Sequence, residues 1–250
     1  MMKVTLIQHT PEPEKLVAVA ARMCYSSSSG SEIVEKITPE IIGKMIMQAK
    51  ESHHDSLFEH ITFTFLIEGV SRVLSHQLVR HRIGVVFHQR SQRYVKQELK
   101  DDVYVPMSIL SNNEAYDVFN HAITICASAY NKLIDLGVPK EDARYVFPNA
   151  TNTQLIMTVN ARELIHILNL RLCQRAQDEI QRLFTMILWE CRKACPLIFN
   201  SVGPNCYQHN GVCPEGKMSC GKCEVVCKLF LPEKFNERMK RYELSLRRDS

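Results

Sequence analysis

Arg80-His81-Arg82-Ile83-Gly84-Val85-Val86-Phe87-His88-Gln89-Arg90-Ser91-Gln92-Arg93-Tyr94 is the stretch that decides how the rest of the chain is read. It holds four arginines, two histidines and a serine, with no carboxylate among them. Consecutive residues on a helix point about 100° apart, so Arg80, His81 and Arg82 cannot share a face. They fit the end of a helix, from which each reaches toward a different group. The planar fork of arginine matches phosphate, carboxylate and the imide edge of a pyrimidine. Composition alone accommodates a solvated basic loop or interior salt bridges about as well.

Working outward, Val70 to Arg80 reads as a helix with Val70, Val73, Leu74 and Leu78 on its inner side. Before it, Phe58 to Glu68 alternates aromatic and β-branched residues and reads as a strand ended by Gly69. Lys3 to Gln8 is a second strand. Glu14 to Met23 and Pro39 to Lys50 are helical, the latter capped by Thr38, with a mobile loop at Ser26 to Ser31. Downstream, Glu114 to Leu136 forms a long helix closed by Gly137 and Pro139, and Lys140 to Phe147 a short one stopped by Pro148. Asn160 to Cys195 is the longest helical pattern, with Asn160 as cap, Glu163 three residues later and Pro196 beyond its end. Leu164, Ile165, Leu168 and Leu172 make its apolar stripe; Arg162, His166 and Asn169 make one polar face, and Arg171, Arg175 and Asp178 another. This order of elements predicts an α+β fold, long helices packed with a small sheet.

With 250 residues, 45% hydrophobic and 23% charged, the chain is long enough for a sizeable core. A net charge of +4 suits an anionic ligand without requiring nucleic acid. No apolar run approaches the roughly 20 residues that span a bilayer, and no basic-then-apolar leader opens the chain, so a cytoplasmic protein is expected. Ten cysteines in a reducing compartment read as buried thiols or metal ligands before disulfides.

The Arg-His-Arg group followed by Ser91, Arg93 and Tyr94 resembles the motif of the flavin-dependent thymidylate synthases. Eight residues, Ile83 to Arg90, separate the two halves, one more than the family's usual spacer, while Gln89 matches the Glu or Gln common there. Further segments resemble the family in order: His54-Asp55-Ser56-Leu57-Phe58-Glu59-His60, Gln77, Arg144, Asn160-Ala161-Arg162-Glu163-Leu164, and Leu168-Asn169-Leu170-Arg171 with Arg175-Ala176-Gln177. The resemblance implies the family's fold, a mostly antiparallel sheet with long helices, and a homotetramer with sites shared between subunits. It implies a catalytic domain over 1–200, followed at 201–250 by a Cys-rich segment and a charged extension, helical and solvated from Lys234.

By the same resemblance the chain methylates dUMP to dTMP. NADPH reduces FAD, methylenetetrahydrofolate supplies the carbon, and the reduced flavin completes the methyl group. Arg171 is the expected catalytic group on the uracil ring, with His54 beside the active site. Gln77, Arg80, Gln89, Ser91, Arg93 and Arg144 join Arg171 in holding dUMP. Ser56, Glu59, Arg80, His81, Arg82, Ile83, Asn160, Arg162, His166 and Arg175 are the expected FAD contacts. Classical thymidylate synthases attack with a cysteine in a Pro-Cys-His context, and that tripeptide does not occur here. Cys206, Cys213, Cys220 and Cys223 are a candidate zinc set, with free thiols in a surface extension the favoured reading. Two alternatives stand beside the enzyme: a nucleic-acid-binding module with a zinc tail, stacking bases on Phe87 and Tyr94, and an inactive flavoprotein of the same fold. The reading adopted expects neither nucleic acid nor membrane as a partner.

Overall fold

The structure is a computed structural model that describes residues 1–97, 99 and 102–246. It is mainly helical, with one four-stranded antiparallel sheet of order β1-β2-β4-β3. The strands are β1 (Lys3–His9), β2 (Thr62–Ser71), β3 (Val85–Gln89) and β4 (Asn152–Asn160). The α+β class expected from the sequence holds.

Only β1 lies where the sequence reading puts it. Asp55–His60 forms a 3-10 helix whose last residues take the place of the expected start of the strand at Phe58, burying Leu57 and Phe58 before β2 begins. β2 then runs through Gly69 to Ser71. Gly69 is needed for a close approach, since at its φ of 65° a Cβ would lie 2.4 Å from the Met1 carbonyl oxygen. Ser71 caps the helix that follows, Arg72–Leu78, by accepting the Leu74 N–H at 3.0 Å. That helix starts two residues later than expected, and Val73, expected inside, is 40% exposed.

β3 and β4 go beyond the sequence reading. β4 buries Thr153, Leu155, Met157 and Val159, the period of two that a half-buried strand requires. The expected single helix over Asn160 to Cys195 is two helices, Ala161–Arg171 and Asp178–Ala194. Gln177 interrupts it by capping the second, its side chain accepting the Ile180 N–H at 3.3 Å. Gln181 meanwhile donates its side-chain amide to the carbonyls of Leu172 and Cys173 just past the first helix. Arg171, Arg175 and Asp178 therefore share no helix face. Elsewhere Ser29, within the expected loop, caps a helix, Gly30–Glu35, that the sequence reading did not include. The final helix, Pro232–Leu246, is not simply solvated, because Phe235 and Met239 are buried.

The chain divides into two compact units. The first comprises Met1–Thr5, Leu66–Arg82 and Val86–Met157. Its buried side chains include Ile67, Leu74, Leu78, Leu155 and a cluster of Leu99, Tyr130 and Ala143, with the Tyr130 and Phe147 rings 4.5 Å apart. The second comprises Leu6–Phe65, Ile83–Val85 and the chain from Thr158 onward. There Phe63 meets Phe199 edge-on at 5.5 Å, and Leu164, Ile167 and Leu168 are buried with Ile180, Phe184 and Ile187. Among the described residues no helix is long and apolar enough to cross a membrane.

Candidate functional site

A cavity of about 1250 Å³ lies within the second unit. Three local structures supply most of its polar wall. The first is one face of the Ala161–Arg171 helix. Asn160 caps it, accepting the Glu163 N–H at 2.9 Å, so Arg162, His166 and Asn169 follow at helical spacing and all reach the cavity. The second is the Asp55–His60 turn, which presents Asp55 and Glu59, the latter paired with Arg162. That ion pair holds the Arg162 guanidinium even more firmly protonated.

The third is the Ile83-Gly84 turn. Gly84 adopts φ 67°, and a Cβ there would fall 2.3 Å from the Asn160 side-chain nitrogen. Its carbonyl accepts the Asn160 N–H at 3.0 Å. Glycine at this position is thus demanded twice, by the left-handed backbone and by the asparagine packed against it. Ile83, 82% exposed, extends beside it on the cavity wall.

Lys50, at the end of the Pro39–Glu51 helix, also lines the cavity. Its ammonium donates to the carbonyls of Leu197 and Ile198 and to the Ser201 hydroxyl, at 2.6, 2.8 and 2.7 Å. Burial lowers its pKa to about 8, against the opposing pull of Glu14. Burial likewise raises the Glu163 carboxyl, with His166 opposing. Asn169 carries the clearest invitation to a ligand: its side-chain oxygen is buried and has no hydrogen-bond partner.

The cavity thus brings together Glu59, Ile83, Asn160, Arg162 and His166 of the expected FAD contacts. Ser56 and His54 are not on its lining, although their neighbours His53 and Asp55 are. The His54 ring stacks on Tyr25 with centroids 6.2 Å apart. Arg175 points elsewhere, donating to Glu215 at 2.5 Å and to the Met218 carbonyl at 2.7 Å. Arg171 ends its helix half-buried, in the same unit.

Arg80, His81 and Arg82 belong to the first unit and follow the Arg72–Leu78 helix, as their splayed spacing predicts. Gln77, Gln89, Ser91, Arg93 and Arg144 belong to the same unit. Glu141 gathers two of them. Arg93 pairs with its carboxylate at 2.8 Å, and Arg144 donates to its backbone carbonyl at 3.0 Å. Ser91 accepts the Arg93 N–H at 3.2 Å, and Gln89 donates to Thr153 at 3.1 Å. Most of the eight-residue spacer forms β3, whose Val85–Gln89 alternate half-buried and exposed.

The family model described as thymidylate synthase complementing protein matches residues 5–197. A flavin-dependent thymidylate synthase of Geobacter sulfurreducens is 47% identical over 232 residues, 92% of this chain and 98% of that protein. One from Clostridium tetani is 42% identical over 246 residues, 92% of this chain and 97% of its own. The chain belongs to the flavin-dependent thymidylate synthase family. A solved structure of the UMP/dUMP methylase PolB from Streptomyces cacaoi, bound with 5-Br dUMP, shares its fold. The TM-score is 0.68 at 24% identity, over 80% of this chain and 93% of that one.

The match to the family model ends at 197, yet Ile198, Ser201, Val202, Gln208 and His209 also line the cavity. The sequence reading gave this tail no place in the site, because nothing in the spacing of Gln208 and His209 marks them. Lys50 was missed for the same reason, as one lysine among others on an amphipathic helix. The tail's cysteines lie close by: Cys206, Cys213, Cys220 and Cys223 line one small cavity with Cys173. Among the described residues, however, no three His, Cys, Asp or Glu side chains are grouped to hold a metal ion.

Proposed function

We propose that this chain methylates dUMP to dTMP, with FAD held in the cavity of the second unit, NADPH as reductant and methylenetetrahydrofolate as carbon donor. The observation that carries the reading is the convergence of Glu59, Ile83, Asn160, Arg162 and His166 on one cavity large enough for a dinucleotide. The donor set fits a flavin. Arg162 is a cation suited to a pyrophosphate, Lys50 adds positive charge while its own donors hold Leu197, Ile198 and Ser201, and the orphaned Asn169 oxygen is an acceptor for an imide N–H. When bound, FAD supplies the hydride chemistry, and the protein supplies orientation and field.

The nucleotide falls to the arginines. Arg93 and Arg144, with Ser91, would bind the dUMP phosphate, Arg93 exchanging part of its contact with Glu141 for the ligand. Gln77, Arg80 and Gln89 would flank it. Arg171 would donate to the uracil imide and stabilise negative charge there as C5 becomes nucleophilic. That route needs no attacking thiol. Arg80, His81 and Arg82 would be further flavin contacts, and His54 would lie on the folate side. The working enzyme would be a cytoplasmic homotetramer with sites shared between subunits.

The test is anaerobic turnover of dUMP with FAD, NADPH and methylenetetrahydrofolate, comparing wild type with Arg171→Ala. Production of dTMP by the wild type and its loss in the variant is the expected result. A wild type that binds FAD and dUMP yet forms no dTMP would overturn the activity.

A further inference from the structure

The cysteine-rich tail is built around one close sulfur contact. Cys206, on the short Asn205–Gln208 helix, is buried, and the Cys227 sulfur on the Cys223–Phe230 helix lies 3.8 Å from its own. Cys223 sits one turn earlier on that helix, so it faces the same way, and its sulfur also hydrogen-bonds Cys206. Among the described residues these thiols are not grouped to hold a metal ion, which leaves thiol chemistry on offer, and the 3.8 Å sulfur contact singles out Cys206 and Cys227.

What lies between the two cysteines makes the pair consequential. Gln208 and His209 belong to the wall of the large cavity. Glu215 and the Met218 carbonyl are the partners of Arg175, just after the cavity's helix. A bond between Cys206 and Cys227 would close this whole segment into a loop and restrict its departure from the cavity.

We propose that Cys206 and Cys227 are a disulfide-forming dithiol whose oxidation fastens the tail over the cavity and slows release of what the cavity holds. The oxidant is a low-molecular-weight disulfide such as glutathione disulfide. The less buried Cys227, as thiolate, attacks one of its sulfurs and expels one glutathione thiolate. Cys206 then gives up its proton to solvent and attacks the mixed disulfide at the Cys227 sulfur, expelling the second. Two protein thiols lose two electrons and two protons, and the small disulfide is reduced to two thiols. This order follows from burial, which with the neighbouring thiols pushes the Cys206 thiol up to about 12 and makes it the poorer first nucleophile.

The experiment equilibrates the full chain with glutathione disulfide or with reduced glutathione, then maps its peptides by mass spectrometry. A Cys206–Cys227 crosslink, two hydrogens lighter, is expected only after oxidation and in neither Cys206→Ser nor Cys227→Ser. No crosslink in the wild type, a crosslink from Cys206 to Cys223 instead, or stoichiometric zinc shielding the thiols would each overturn the proposal. FAD release from the same samples should slow several-fold on oxidation in the wild type and not in the variants; equal rates would overturn the fastening role. Only that second readout rests on the flavin reading. A chain that retains no FAD in either state would count against the flavin reading, while the crosslink map would still decide the dithiol.

Discussion

Arg192 and Arg162 both sit in the second unit, and they are used in opposite ways. Arg192 is 4% exposed and donates to the backbone carbonyls of Phe199, Asn200, Val202 and Phe230, with its guanidinium 4.3 Å from the Phe235 ring centre. Burial lowers its pKa to about 10, which still leaves it charged at neutral pH. It ties the Asp178–Ala194 helix to the turns after it, with its Nε and Nη2 donors committed to the chain. Arg162 is about half exposed, pairs with one carboxylate and faces a cavity. The contrast teaches that an arginine's role follows from where its donors go: into backbone carbonyls for holding the fold, or toward an open volume for holding something else.

The largest effect should come from Arg192→Leu. Four acceptors lose their donor, most of them buried, so stability should fall by about 3–5 kcal/mol in urea denaturation. A loss indistinguishable from that of a surface substitution would remove the structural half of the comparison. Next is Gly84→Ala, which adds a Cβ against Asn160 at a left-handed φ. A cost of about 1–3 kcal/mol is expected, with weakened FAD binding because Asn160 must move. Unchanged FAD affinity would mean that the Ile83-Gly84 turn is not part of the site.

The smallest effect is a pH dependence through Lys50. Its pKa is near 8 in the fold and an ordinary 10.5 in the unfolded chain, so between those values the unfolded chain binds more protons. Its contribution to stability therefore rises as pH climbs through that window, while the cavity loses a positive charge and should bind an anionic cofactor less well. Comparing wild type with Lys50→Met at pH 7, 9 and 10.5 tests this. The wild type should lose FAD affinity above pH 8, and the variant should show no such step.

The helices with strong punctuation were legible in the sequence. Thr38 with Pro39, and the long helix closed by Gly137, lie within one residue of their expected ends. The Asn160 cap is likewise in place. What was not legible involved competition between local signals. The 177–181 stretch looks helical throughout until Gln177 and Gln181 are seen turning their side chains to the backbone. β4 carries its period of two at Thr153, Leu155, Met157 and Val159, whereas β3, Val-Val-Phe-His-Gln, is short and has no clean apolar alternation. At the site, Arg162, His166 and Asn169, on one face of one helix, could be grouped from spacing alone. Lys50, Gln208 and His209 reach the cavity only through tertiary packing, which no spacing records.

The most direct test of the account is FAD release from the purified chain, followed by flavin fluorescence for wild type, Arg162→Ala and the conservative Arg162→Lys. The account predicts a yellow wild type, release at least about tenfold faster in Arg162→Ala, partial recovery in Arg162→Lys, and one urea midpoint for all three. Equal release from wild type and Arg162→Ala would contradict it, and the flavin would have to be sought outside this cavity.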